Sequence, residues 1–327
     1  MNKYLLLLFA LVLWSCNKES GRPPQMATSD AGMVTAGHPL ATAAGQFMLE
    51  NGGNAADAAV AAGFALAVVE PSMSGIGGRL MALVRDTEGQ VHGIDATTQA
   101  PMLYDTATAP DVSYGYPTIG IPGVVAGLTK ILEDHGTMNL SEVMAPAISY
   151  AENGFALLPG EALRHFMQLK EIREFEGTSM YYLDGDTTYA AGSLLVQKDL
   201  AQTLKTIASE GKDAFYKGSI AEKIIADLQK NGSIMTLEDL ANYQAEDRLV
   251  LSGNYRGYDL NAMWMPSFGA ITIEILNILE QLPMSELSEA DYATAFYQAI
   301  TLAYEDRDKQ TSDSMALVLT SKAYAET

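Results

Sequence analysis

The chain has 327 residues, 48% of them hydrophobic, which is enough to bury a substantial core. Its 40 Asp and Glu against 20 Lys and Arg give a net charge of −20, which argues against nucleic-acid binding, since that needs a basic face. The acidity forms no long run and reads as a solvated surface, and no internal repeat or low-complexity segment stands out.

In chain order, Lys3 precedes the apolar stretch Tyr4–Leu13, which is too short to span a bilayer comfortably. The only cysteine, Cys16, falls where that stretch ends. Leu13-Trp14-Ser15-Cys16 resembles a bacterial lipoprotein signal. The resemblance implies cleavage before Cys16, lipid on its sulfur, and a protein tethered on the periplasmic or extracellular side of the cell envelope. Residues 17–30, with Pro23 and Pro24, then read as a flexible tether, and residues 31–327 as one domain. With Cys16 lipidated, no disulfide is expected.

The most structured stretch runs from His38 to Pro101. Pro39 suits the first turn of a helix, and Gly52-Gly53 stops it. Asn54 caps the next helix and Asp57 places negative charge in its first turn. Ala55–Val69 is apolar all round, so that helix should be buried; Pro71 ends it. Ser74-Gly75-Ile76-Gly77-Gly78 makes a sharp bend. A phosphate loop would open a helix, whereas this bend enters a strand. Leu80–Arg85 and Val91–Asp95 read as two strands around Asp86-Thr87-Glu88-Gly89.

Ala100–Tyr116 reads as loop, Val124–Asp134 as helix, and Ser141 to about Asn153 as another. Glu161–Glu174 reads as one helix and Gly177–Ala191 as a surface loop. Asp199–Ser209 and Ser219–Lys230 are amphipathic helices. Thr236 and Asp239 form a capping box. Arg248–Leu251 and Tyr255–Met263 read as a hairpin turning at Ser252-Gly253-Asn254. Gly269–Leu282 and Glu289–Asp306 are long helices, with Tyr292, Phe296 and Tyr304 expected in the core. The four histidines lack helical metal-ligand spacing, so no metal or other cofactor is implied.

GGNAADAAVAAGFALAVVEP followed by SGIGG resembles the N-terminal signature of the gamma-glutamyltranspeptidase family. The likeness continues through Gly115–Leu128, Leu140–Leu157, Asp199–Leu228 and Thr236–Leu260. It implies an α/β (α+β) fold of N-terminal-nucleophile hydrolase type, an αββα sandwich of which this chain supplies the large-subunit part. It also implies self-cleavage that frees an N-terminal Thr on a small subunit. That Thr attacks a γ-glutamyl amide, such as that of glutathione, with its own α-amine as base, and passes the acyl group to water or an amino acid.

Two departures follow from the resemblance. The family nucleophile begins a Thr-Thr-His motif, which this sequence lacks; Thr97-Thr98 and Thr187-Thr188 read as ordinary strand or loop residues. The chain alone is therefore expected to be inactive, with the Thr carried by a small subunit or C-terminal half. A truncated gene, a split gene and a single-subunit relative all fit. The second departure is in Asp95-Ala96-Thr97-Thr98-Gln99-Ala100-Pro101, where Thr97 stands in place of the family Arg that pairs with the substrate α-carboxylate. Arg79, in the glycine bend, is a candidate replacement cation, against the plainer reading of a solvent-facing side chain. Three functions remain: a γ-glutamyl transferase or hydrolase, a related amide hydrolase with another acyl specificity, and a non-catalytic lipid-anchored binding protein.

Overall fold

The capping chemistry of the opening stretch is realised residue by residue. The computed structural model describes residues 27–327, within which Val34–Thr327 forms one unit; the lipoprotein signal with Cys16 lies outside the described residues. Helix α1 spans Pro39–Glu50, with His38 Nδ1 accepting from the Leu40 N–H at 3.1 Å. Helix α2 spans Ala55–Val69. Asn54 and Asp57 form a reciprocal capping box, and Asp57, fully buried, also accepts from the Thr137 hydroxyl at 2.7 Å and the Thr137 and Met138 N–H groups. One carboxylate thus satisfies the start of α2 and ties it to a loop some eighty positions on, which is why a charge can sit there without water.

Strands β1 (Leu80–Arg85) and β2 (Val91–Ala96) pair antiparallel, Leu80 opposite Ala96 and Arg85 opposite Val91. Strand β3 (Glu246–Arg248) adds to β2, completing a three-stranded sheet in the order β1-β2-β3. Side chains alternate between its faces. Leu80, Ala82, Val84, Ile94 and Ala96 face the main core, where α2 and helix α3 (Val124–His135) pack. Asp95, Glu246 and Arg248 share the opposite face with Met81 and the exposed Leu83.

Helix α4 (Leu140–Asn153) packs on α2, and α5 (Pro159–Met167), α6 (Lys198–Glu210), α7 (Ser219–Lys230) and α8 (Leu237–Asn242) follow. The sheet faces and the packed helices make a mixed helix-and-sheet chain, as the sequence implied.

Several local expectations are corrected. The single helix over Glu161–Glu174 is two, interrupted at Gln168. The loop expected over Gly177–Ala191 begins instead as a helix, Glu176–Tyr182. Its first turn is held by the Thr178 and Ser179 hydroxyls, which donate to the Ile172 carbonyl. The hairpin is β4 (Val250–Tyr255) with β5 (Tyr258–Met263), and it turns at Arg256-Gly257, three residues beyond the expected place. Both turn residues have positive φ, +49° and +86°, the requirement of a two-residue turn matched to strand twist. Arg248 therefore belongs to the main sheet and not to the hairpin. In helix α10 (Glu289–Asp306), which follows α9 (Gly269–Glu280), Tyr292, Phe296 and Tyr304 are exposed, and Ala299 and Ala303 are buried instead.

Candidate functional site

Strand β2 leaves the sheet at Ala96, and three contacts fix where its continuation lies. The Tyr243 hydroxyl donates to the Thr97 carbonyl at 2.7 Å. Gln99 forms an isolated antiparallel bridge with Ile121. Asp239 Oδ1, in the first turn of α8, accepts from the Met102 N–H at 2.8 Å. Gly123, at the start of α3, packs beneath this exit. A Cβ there would stand 2.0 Å from the Ala96 carbonyl oxygen and 2.3 Å from the Tyr243 hydroxyl, so only glycine fits.

Tyr243 is itself well placed. Its ring stacks on Tyr216 at 5.6 Å and 9°, and the Tyr216 hydroxyl donates to the Pro122 carbonyl at 2.9 Å. Burial, and then the nearby Asp95 and Glu246 charges, push the Tyr243 hydroxyl well above its ordinary pKa, so it stays a neutral donor.

On the sheet face turned away from the core, a cavity of about 300 Å³ is lined by Asp95, Thr97, Gln99, Tyr243, Gln244, Glu246, Arg248, Met265 and Pro266. Asp95 is its hub. Asp95 Oδ1 accepts from the Thr97 N–H at 2.9 Å and from the Thr97 hydroxyl at 2.7 Å. Asp95 Oδ2 lies 3.3 Å from Arg248 Nε, which also donates to the Met265 carbonyl at 3.0 Å. The guanidinium packs over the Trp264 ring, 5.9 Å from its centroid.

Thr97, singled out from the sequence, is thus in the cavity wall, but its hydroxyl is committed to Asp95. Arg79 is not in that wall. It lies one residue before Leu80, whose partner is Ala96, so the register brings it level with Thr97 on an exposed position, and it forms no ion pair among the described residues. No sequence motif marks Arg248 or Tyr243 as part of this site. Both come from segments about 150 positions away, and no local pattern announces that pairing. The one available signal was an arginine placed in a strand of a strongly acidic chain.

A second cavity, of about 320 Å³, shares the Tyr243 and Gln244 walls and is rimmed by Lys130, Lys212 and Lys217, each ion-paired with a neighbouring acid. A separate buried polar cluster centres on Glu161. It accepts from the Ser72 N–H at 2.9 Å and hydroxyl at 2.7 Å and pairs with Arg164 and His165, pinning the bend that precedes β1. Phe268, just before α9, lies under the Arg307 guanidinium at 5.3 Å.

A sequence model of the family described as gamma-glutamyltranspeptidase matches residues 41–326. The chain belongs to the gamma-glutamyltranspeptidase family. It is 36% identical to a glutathione hydrolase proenzyme of Escherichia coli, over 97% of this chain and 60% of that protein. It is 35% identical to the acylase ACY 1 proenzyme of a Pseudomonas species, over 92% of this chain and 58% of that protein. Its fold superimposes on the crystal structure of Helicobacter pylori gamma-glutamyltranspeptidase with a TM-score of 0.87 at 36% identity, covering 92% of this chain and 91% of that one. The fold class is therefore that of the family's N-terminal-nucleophile hydrolases. The chain spans about three-fifths of the length of these curated relatives, which are proenzymes.

Proposed function

We propose that this gamma-glutamyltranspeptidase-family chain is the substrate-binding half of an amide hydrolase or transferase acting on γ-glutamyl peptides such as glutathione. The attacking Thr comes from a second subunit or C-terminal half. The observation that carries this reading is the cavity at the exit of β2, lined by Asp95, Thr97 and Gln99 of the stretch in which the resemblance places the residue that pairs with the substrate α-carboxylate. In the proposed reaction the Thr hydroxyl, deprotonated by its own α-amine, attacks the amide carbon and expels the amine. Water or an acceptor amine then releases the acyl group. This chain's contribution is the wall that binds and orients the acyl end.

The test is an assay of glutamate release from glutathione by the chain alone and by the chain co-expressed with a polypeptide beginning at a Thr-Thr-His segment. Turnover is expected only from the pair; release by the chain alone would overturn the division of labour.

A second reading, an amide hydrolase with a non-γ-glutamyl acyl group, is favoured by Thr97 in place of the family Arg, because a hydroxyl cannot reproduce a guanidinium fork. A relative named as an acylase supports it. We further propose that Cys16 carries a lipid that holds the protein at the cell envelope, on the strength of the lone cysteine at the end of the apolar leader. Cys16→Ser is expected to move the protein from the membrane to the soluble fraction; unchanged membrane recovery would remove the idea.

A further inference from the structure

The cavity holds a cation of its own. Arg248 is the only basic side chain in its wall. Its Nε is committed to the Met265 carbonyl and to Asp95. Neither Nη nitrogen donates a hydrogen bond among the described residues; Glu246 Oε2 stands 3.9 Å from Nη1. The side chain is 32% exposed and lines the cavity. A planar fork with uncommitted N–H groups is the geometry that takes a carboxylate through two parallel hydrogen bonds.

The neighbouring acids fit the same ligand. Asp95 is occupied by the Thr97 N–H, the Thr97 hydroxyl and Arg248 Nε, so it acts as the anchor that orients the guanidinium. Glu246, directly opposite Asp95 in the ladder, is 62% exposed and holds no closer partner. An α-amino acid head group carries one carboxylate and one ammonium side by side. Arg248 offers the donor fork for the first and Glu246 the acceptor for the second. Arg79 offers neither, because it stands outside the cavity wall.

We propose that Arg248, held by Asp95 and Thr97, is the residue that binds the α-carboxylate of an amino-acid head group in this cavity, in place of the arginine absent at position 97. This rests on the γ-glutamyl reading above and names the residue that would make it work. Asp95 and Thr97 act through Arg248 and are positioning residues.

The experiment measures binding and not turnover, so that it separates from the fate of the hydrolase reading. Ligand-observed NMR titrations of the full chain compare L-glutamine with 4-aminobutanamide, the same molecule without its α-carboxylate. Glutamine is expected to bind at least about tenfold more tightly, and Arg248→Gln to abolish the difference while Arg79→Ala preserves it. Thermal melting reports whether each variant is folded. Should Arg248→Gln melt early, Arg248→Lys carries the test. Lysine keeps the charge beside Asp95 but has no fork, so the advantage of glutamine must shrink by about threefold or more. Equal binding of the two ligands by the unaltered chain, no binding of either, or an undiminished preference in the folded Arg248 variants would overturn the proposal. If the preference is found but the paired subunits cleave no amide, the hydrolase reading fails and the Arg248 assignment stands.

Discussion

Two buried carboxyl groups give stability opposite dependences on pH. Burial alone would raise the pKa of Glu161, but hydrogen bonds from His165, Ser72 and Arg164 overcome it and hold the group down at about 2. Its folded value lies below the unfolded value of 4.5, so its contribution is present above about pH 4.5 and is lost as pH falls towards 2. Glu274, on α9, is 1% exposed, and burial followed by its hydrogen bond to Asp306 pushes it up to about 8. Asp306 itself is held low by Lys309 and Tyr324 against its own burial. For Glu274 the folded value lies above the unfolded one. Its contribution is present below about pH 4.5 and fades as pH rises through 8. Thermal melts from pH 3 to pH 9 are therefore expected to fall at both ends. Glu161→Gln should lower Tm at pH 7 by roughly 5 °C, corresponding to a loss on the order of 2 kcal/mol, and flatten the acid limb. Glu274→Gln, whose amide can still donate to Asp306, should flatten the limb between pH 5 and pH 8. Unchanged profiles in both variants would remove this account.

At the scale of elements, the joint between β2 and α3 is the tightest feature of the site. Gly123→Ala places a methyl group against the Ala96 carbonyl and the Tyr243 hydroxyl, so the helix start or the strand exit must move. A cost of roughly 2 kcal/mol or more is expected in urea unfolding, together with loss of the Tyr243 to Thr97 hydrogen bond. A neutral substitution would show that the joint has slack. Much of this level was legible beforehand. The limits of α2 follow from Asn54, Asp57 and Pro71, because caps and breakers act within a few residues. The β4–β5 hairpin was misplaced because Arg256 adopts positive φ, a conformation ordinarily signalled by Asn or Gly. In α10 the aromatic stripe that the sequence points to is the exposed one. Periodicity marks a stripe but not which stripe is covered, and the small residues Ala299 and Ala303 are the ones that pack. Thr97 could be found because it interrupts a contiguous motif. Arg248 could not, because its neighbour Asp95 is set by the β2–β3 pairing, a long-range contact with no local trace.

At the scale of the whole molecule, the three-stranded sheet is covered by helices on one face, while Leu83 on the other is exposed and β1 is an open edge. Tyr292, Phe296, Tyr297, Leu302 and Tyr304 on α10 add exposed apolar area. An unpaired edge and a broad apolar surface favour association. The chain expressed alone is expected to self-associate with rising concentration in size-exclusion chromatography, and co-expression with a polypeptide beginning at a Thr-Thr-His segment should suppress this. A monodisperse sample at every concentration would contradict it.

The hydrogen bond from the Thr97 hydroxyl to Asp95 constrains any substitution at position 97. Placing the family's arginine at position 97 would not simply add a second carboxylate-binding cation. It would remove a donor that steadies Asp95 and crowd a second guanidinium against the first, so that two cations compete for one carboxylate. Positions 97 and 248 are thereby coupled through Asp95, and a change at one is felt at the other.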